Sequence, residues 1–129
     1  MKKVLVDTDI LINFLRGREK ARDYLFSLLE ESTMYCSVIS IAEIHANMKE
    51  HEKEKTTELI DSLNIVDITR DIAEKAGMYK RDERKQFLEL DDCFIAATAF
   101  VKGAILATGN GKHYPMQDIT KELVTFKGR

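Results

Sequence analysis

The chain has 129 residues, of which 44% are hydrophobic and 33% charged, and its formal net charge is −2 at pH 7. This length suits one compact domain with a sizeable core, which we expect over residues 1–129, and the composition excludes a disordered or fibrous chain. The slight negative charge excludes a global basic field that would attract nucleic acid, and the short apolar stretches without a signal-peptide core indicate a cytoplasmic protein with no membrane segment.

Short apolar runs alternate with amphipathic segments along the chain. Runs rich in β-branched and aliphatic residues predict strands, and segments with a helical apolar period predict helices. In chain order, the sequence predicts a strand at 3–6, helices at 9–15 and 19–30, a strand at 34–38, helices at 41–48 and 54–63, a strand at 64–67, helices at 70–87 and 93–101, and strands at 104–107 and 122–126. Strands separated by helices predict an α/β fold with a central, mostly parallel sheet of four to five strands and helices on both faces.

Polar residues mark several of the predicted helix starts. Ser40 is a candidate N-cap, and Glu43 completes the capping-box pattern Ser-x-x-Glu, which gives Glu43 a purely structural alternative role. Thr69 can cap the helix that follows it. Asp91 or Asp92 opens the last and most apolar of the helices.

Acidic side chains stand where the predicted strands end. Asp7 directly follows the first strand, Glu43 falls in the first turn of the helix after the second, and Thr108 to Asn110 follow the fourth. Carboxyl ends of parallel strands meet at one edge of a sheet, where ligands bind, so these residues can face one site. Asp92 begins a helix that precedes a strand, and the strand ends alone do not bring it to that edge. A purely structural protein rarely places charge in such apolar segments, so Asp92 also belongs among the candidates.

Four sequence blocks are spread over nearly the whole chain. They are VLVDTDILI at 4–12, SVISIAEI at 37–44, DCFIAATA at 92–99 and LATGN at 106–110. With these blocks the chain resembles the PIN-domain nucleases and, within them, the VapC-type toxins of type II toxin-antitoxin systems. The resemblance implies a PIN-like fold and a Mg²⁺- or Mn²⁺-dependent endoribonuclease that hydrolyses RNA phosphodiester bonds. It also implies a cognate antitoxin protein as a partner and a homodimeric toxin.

The resemblance assigns four catalytic positions. The first three acids of the family match Asp7, Glu43 and Asp92, and the fourth position, Asp in many members and Asn in others, falls on Asn110. We assign Asp7 and Asp92 as direct metal ligands and Glu43 as a ligand or a water-orienting base. Asn110 is an auxiliary ligand, whose neutral amide offers an oxygen but no charge.

The polar neighbours of these positions have alternative roles. Asp9 and Asp91 can support the metal, but Asp9 can instead cap a helix, and Asp91 is more simply an N-cap or a first-turn acid. The hydroxyls of Thr8 and Thr108 can hold waters or carboxylates, since a hydroxyl both donates and accepts.

The chemistry of the acids explains the choice of metal. Several carboxylates in one crevice repel each other unless a hard divalent cation neutralises them, and Mg²⁺ or Mn²⁺ matches a set of oxygen ligands. Such a metal polarises the phosphodiester, lowers the pKa of a bound water and stabilises the departing 3′-oxygen.

Two basic clusters can contact RNA phosphates, although acids interleave with them and solvated helix faces are an equal alternative. The candidate RNA-binding residues are Arg16, Arg18, Lys80, Arg81, Arg84 and Lys85. His113 has no partner at metal-binding spacing and is interpreted as a surface loop histidine. Tyr114 can stack on a base, but packing is the preferred interpretation.

Two alternative functions stay open. A PIN-like module that binds RNA or a partner without cutting is conceivable because Asn110 is neutral. The triplet Asp7-Thr8-Asp9 also resembles the nucleophile motif of haloacid-dehalogenase-type phosphatases, with Asp91-Asp92 as the late acidic pair, but Leu11 departs from that motif.

Overall fold

A five-stranded parallel sheet forms the centre of the structure, a computed structural model that describes residues 1–83 and 88–126. The strands are β1 (Lys2–Val6), β2 (Ser32–Ser37), β3 (Asn64–Val66), β4 (Ile105–Thr108) and β5 (Lys121–Leu123). The α-helices are α1 (Thr8–Leu15), α2 (Glu19–Leu28), α3 (Val38–Ala46), α4 (Lys53–Asp61), α5 (Arg70–Asp82) and α6 (Leu90–Lys102). Two short 3-10 helices span Glu50–Glu52 and Gly111–His113. No helix within the described ranges has the length and apolar character needed to span a bilayer.

β1 occupies the middle of the sheet. The strand order is β3-β2-β1-β4-β5, and every neighbouring pair is parallel. Val4 of β1 pairs with Met34 of β2 on one side and with Ile105 of β4 on the other. All five carboxyl ends therefore lie at one edge, and the predicted α/β fold with a mostly parallel sheet is confirmed. Because α6 leads directly into β4, it runs back across the sheet and begins at the same edge.

Side chains of the central strand alternate between two hydrophobic cores. Val4 and Val6 face the core that includes residues of α1, α2 and α4, whereas Leu5 faces the core that includes residues of α5 and α6. Helices therefore cover both faces of the sheet, as predicted. Helix α6 approaches α5 closely because many of its buried residues are small, such as Ala96 and Ala99.

Ser37, and not Ser40, caps α3. Strand β2 ends at Ser37, whose extended backbone turns directly into the helix and whose Oγ accepts a hydrogen bond from Ile39 N at 3.1 Å. The prediction of Ser40 as the N-cap, with Glu43 as its capping-box partner, is therefore wrong. Ser40 is fully buried inside the helix, and Glu43 lies in the second turn rather than the first.

Several further boundaries differ from the prediction, including those of α5, α6 and β5. Helix α5 ends at Asp82, and residues 84–87 of that predicted helix lie outside the described residues. Helix α6 begins at Leu90, so Asp91 and Asp92 both lie in its first turn instead of opening it. Strand β5 ends at Leu123, earlier than predicted, because its partner β4 has already ended at the paired residue Thr108.

Candidate metal centre

Asp7 holds the most enclosed carboxylate of the candidate site. It follows β1 and caps α1, and its Oδ1 accepts a hydrogen bond from Thr8 N at 2.7 Å. Its Oδ2 accepts hydrogen bonds from Thr108 Oγ1 at 2.7 Å and from the Tyr114 hydroxyl at 3.0 Å. Burial raises the pKa of Asp7 above its ordinary value of 3.8, although these three hydrogen bonds lower it. The carboxylate is therefore firmly oriented, yet its ionisation is opposed by burial.

Tyr114 connects Asp7 to Asp92. Its side chain is fully buried, and its hydroxyl lies 3.0 Å from Asp7 Oδ2 and 3.3 Å from Asp92 Oδ1. Asp92 Oδ2 lies 3.4 Å from Nδ1 of His113, whose side chain is largely exposed. Burial raises the pKa of Asp92 to about 6, while the nearby His113 opposes this rise. The packing interpretation of Tyr114 is confirmed, but its hydroxyl and the His113 ring are site groups that the sequence analysis missed.

Thr8 links the end of β1 to Glu43 on α3. Its Oγ1 lies 2.5 Å from Glu43 Oε1 and 2.8 Å from Ser40 Oγ. Burial, followed by a hydrogen bond with Asp91, raises the pKa of Glu43 to about 7. Asp91 thus faces the site. Of its two predicted structural roles, the first-turn acid of α6 is confirmed and the N-cap is not, because Glu89 is the N-cap of this helix.

Asp9 also faces the site and does not cap α1. Its Oδ2 accepts hydrogen bonds from Gly109 N at 2.9 Å and from Asn110 Nδ2 at 3.1 Å. Its Oδ1 is buried and has no hydrogen-bond partner within the described residues. Burial, together with the charge of Asp7, raises the pKa of Asp9 to about 6. Asn110 lies at the site as predicted, where its amide donates to Asp9.

The carboxyl edge of the sheet gathers oxygen-bearing side chains from four segments. They are Asp7 and Asp9 after β1, Glu43 on α3, Asp91 and Asp92 on α6, and Asn110 after β4. Their donor set fits a hard divalent cation, and a cation would relieve both the unpaired Asp9 Oδ1 and the carboxyl groups that burial makes hard to ionise. In residues 1–83 and 88–126, however, no three acidic, histidine or cysteine side chains already converge on one ion position.

Two open clefts flank the loop that carries Asn110. The first has a volume of about 800 Å³ and is lined by Asp9 and Arg18, among others. The second has a volume of about 730 Å³, and its lining includes Lys112 and Lys121. Basic side chains therefore line the clefts on both sides of the loop that carries Asn110.

Among the predicted RNA-binding residues that the structure describes, Arg18 lines the cleft that also contains Asp9. Arg16 lies at a smaller cavity between α1 and α3. Lys80 and Arg81 on α5 already make polar contacts within the chain. Arg84 and Lys85 lie outside the described residues.

Similarity to known proteins identifies the family. The PIN domain family matches residues 4–118. The chain is 39% identical to ribonuclease VapC10 of Mycobacterium tuberculosis over 115 residues, which are 88% of this chain and 86% of that protein. It is 30% identical to ribonuclease VapC1 of Methanocaldococcus jannaschii over 115 residues, which are 87% of this chain and 79% of that protein. The chain therefore belongs to the PIN domain family and, within it, to the VapC group, which confirms the resemblance of the four sequence blocks.

Solved structures share this fold. VapBC2 from Rickettsia felis, bound to a DNA fragment from its promoter, has a TM-score of 0.83 at 20% identity, covering 95% of this chain and 98% of that one. A toxin-antitoxin complex from Klebsiella pneumoniae has a TM-score of 0.76 at 28% identity, covering 91% of this chain and 95% of that one. The PIN assignment leaves the haloacid-dehalogenase alternative without support.

Gly109 is required for the close approach of Asp9 to the loop after β4. A Cβ at this position would lie 2.5 Å from Phe126 Cε2 and 2.6 Å from Asp9 Oδ2. We expect Gly109→Ala to lower the free energy of unfolding by about 1–3 kcal/mol in urea denaturation, because the Phe126 ring or the Asp9 carboxylate must move. Gly77→Ala is the control, since a Cβ there meets nothing within 4 Å and a helical alanine should stabilise α5 by about 0.5–1 kcal/mol. Unchanged stability of Gly109→Ala would contradict this close contact.

The raised carboxyl pKa values predict a pH dependence of stability. In the folded chain burial raises the pKa of Asp9 and of Asp92 to about 6 and that of Glu43 to about 7, from ordinary values of 3.8 and 4.5. The folded chain therefore binds more protons than the unfolded chain between about pH 4 and 7, and its free energy of unfolding falls as the pH rises through that window. We expect thermal unfolding in EDTA to show a lower Tm at pH 8 than at pH 5.

Two variants identify the source of this slope. Asp92→Asn removes one of the responsible groups and should flatten the decline of Tm between pH 5 and 8. Burial raises the pKa of Asp118, but hydrogen bonds from Lys75 and Tyr79 outweigh it and lower the pKa below 3.8, so Asp118→Asn should keep the wild-type slope over this range. A Tm that rises steadily from pH 5 to 8 would refute the expectation.

Proposed function

We propose that the chain is a divalent-metal-dependent endoribonuclease and the toxin of a type II toxin-antitoxin system, formed by one domain over residues 1–129. The observation that carries this proposal is the gathering of Asp7, Glu43 and Asp92, from distant parts of the sequence, through the hydroxyls and amide around Asp7. VapC relatives are named ribonucleases, and the similar Klebsiella pneumoniae structure is a toxin-antitoxin complex. RNA is thus the proposed substrate, and the cytoplasm is the proposed place of action.

Asp7, Glu43 and Asp92 would hold the metal in this proposal. The auxiliary groups would be Asp9, Asp91 and Asn110. Mg²⁺ is the proposed ion, with Mn²⁺ as its substitute, because the available ligands are all oxygens. When bound, the metal supplies the Lewis acidity that polarises a phosphodiester and lowers the pKa of an attached water.

Glu43 is proposed to orient the attacking water and to accept its proton. A pKa of about 7 suits a general base at neutral pH, and Thr8 holds the Glu43 carboxyl at 2.5 Å. Thr108 holds the Asp7 carboxylate in the same way at 2.7 Å. The two threonines therefore keep the carboxyl groups of Glu43 and Asp7 at defined positions.

Arg18 and Lys112 are proposed contacts for the RNA phosphates on either side of the scissile bond. They line the two clefts that flank Asn110, and phosphate neutralisation by basic side chains supplies much of the affinity for nucleic acid. Candidate contacts for more distant parts of the RNA are Arg16, Lys80, Arg81, Arg84 and Lys85.

Metal-dependent cleavage tests the proposed activity. The purified chain should cleave members of an RNA panel in Mg²⁺ or Mn²⁺ and lose this activity in EDTA. Asp7→Asn should lower the cleavage rate at least about 100-fold, because it removes a charged ligand from the metal site. Asp71→Asn is the matched control, since Asp71 is an exposed acid in the first turn of α5, and it should retain wild-type activity.

Two outcomes would contradict the proposed nuclease activity. Cleavage that persists in EDTA and in Asp7→Asn indicates a contaminating nuclease and removes the support for this activity. RNA binding without metal-dependent cleavage by the wild-type chain favours the non-catalytic PIN-like module.

The proposed partners are a cognate antitoxin and a second copy of the chain. Co-expression with the product of an adjacent small gene should yield a stable complex that co-purifies and no longer cleaves RNA. The isolated chain should sediment as a dimer at micromolar concentration. Separate elution of the two gene products would count against the antitoxin, and a purely monomeric chain would count against the homodimer.

A further inference from the structure

Tyr114 occupies an unusual place for a buried aromatic residue. Its ring lies in the core shared by α5 and α6, while its hydroxyl reaches two acids of the candidate metal centre. We propose that the Tyr114 hydroxyl is a positioning group, which fixes the carboxylates of Asp7 and Asp92 relative to each other so that both can serve one divalent cation. This inference rests on the proposed metal-dependent function.

The hydroxyl determines which oxygen of each carboxylate remains available. Asp7 Oδ2 already accepts from Tyr114 and from Thr108, which uses both of its lone pairs, whereas Oδ1 accepts a single bond from Thr8 N. On Asp92, Tyr114 contacts Oδ1, and Oδ2 points toward the exposed His113. The single hydroxyl proton is shared between Asp7 Oδ2 at 3.0 Å and Asp92 Oδ1 at 3.3 Å, so one oxygen of each acid faces Tyr114 and the other oxygen of each is left with spare acceptor capacity.

The backbone around Tyr114 is held at both ends. Its N–H donates to Gly111 O at 3.1 Å, and its carbonyl oxygen accepts from Lys121 Nζ at 2.5 Å. The side chain has no exposed surface, so the ring cannot swing away without disturbing the core. Because the hydroxyl is held in place by the rest of the residue, it restricts the orientation of the Asp7 and Asp92 carboxylates.

The hydroxyl of Tyr114, and not its ring, positions the two carboxylates. A phenylalanine ring at position 114 would fill the same space but would leave Asp7 Oδ2 with one donor and Asp92 Oδ1 without this contact. The two carboxylates would then be free to turn independently of each other. Groups that orient metal ligands typically contribute about 10–100-fold to metal affinity or activity, so we expect Tyr114→Phe to bind Mn²⁺ about 10-fold more weakly.

Mn²⁺ binding to the metal-free chain is the decisive measurement. Free Mn²⁺ is counted by electron paramagnetic resonance during titration of wild type, Tyr114→Phe, Tyr79→Phe and Asp7→Asn, at a temperature where near-UV circular dichroism shows all four to be folded. Tyr79 is the matched control, because it is also buried and its hydroxyl donates to a carboxylate, Asp118, at 2.7 Å. Binding of a labelled RNA in EDTA provides a second readout.

The proposal predicts a distinct pattern. Tyr114→Phe should raise the dissociation constant for Mn²⁺ about 10-fold, Tyr79→Phe should leave it at the wild-type value, and RNA binding in EDTA should be the same in both. Wild-type Mn²⁺ affinity in Tyr114→Phe would overturn the proposal, and so would equal weakening in both tyrosine variants. A Tyr114→Phe chain that does not fold would also overturn it, because the hydroxyl would then be structural.

The same titration distinguishes a failure of the proposed metal centre from a failure of the proposed role of Tyr114. If the wild-type chain binds no Mn²⁺, or if Asp7→Asn binds it equally well, the metal centre itself is refuted and the role of Tyr114 falls with it. If wild type binds Mn²⁺, Asp7→Asn does not, and Tyr114→Phe binds as wild type does, the inference about Tyr114 alone is refuted.

Discussion

The burial of the Asp7 carboxylate is the constraint on which the rest of the site depends. A buried carboxylate needs hydrogen-bond donors, and Asp7 receives three, from the first amide of α1, from Thr108 and from Tyr114, at 2.7 to 3.0 Å. These donors converge because β1 and β4 are adjacent parallel strands that end together. Pairing of the two strands therefore assembles the site as well as the sheet. Helix ends assist, since Asp9, Asp91 and Asp92 lie in the first turns of α1 and α6, where the peptide dipole favours negative charge.

Much of this arrangement follows from the sequence because strand ends in a parallel sheet share one edge. That rule places Asp7, Thr108 and Asn110 correctly, and it brings Glu43 close even though the predicted cap of its helix is wrong. The capping error arose because Ser37 and Ser40 are both good N-cap residues, and the choice depends on where β2 stops. Strand ends alone do not place Asp92. A helix that leads directly into a parallel strand must start at the strand's carboxyl edge, and that topological rule accounts for Asp92.

The remaining contacts depend on packing that no local pattern encodes. The hydroxyl of Tyr114 contacts Asp7 and Asp92 because the segment after β4 packs against the first turn of α6. A single tyrosine in a loop does not predict this contact. The pairing of Asp9 with Gly109 and Asn110 likewise spans about 100 residues of sequence. Glu43 on α3 lies close to Asp91 on α6 because these two helices pack against each other. The apolar period of each helix does not predict this packing. Such contacts become visible only when the packed chain is seen.

The sequence separation within the Asp7 hydrogen bonds also has a consequence for protein synthesis. Asp7 and its two side-chain donors are 101 and 107 residues apart. At translation rates of about 5–20 residues per second, Asp7 is made roughly 5–20 s before Tyr114. For most of that interval β1 has no β4 to pair with, and the Asp7 carboxylate lacks two of its three donors. A nascent chain on the ribosome therefore carries no assembled acidic centre until Thr108 and Tyr114 have been translated.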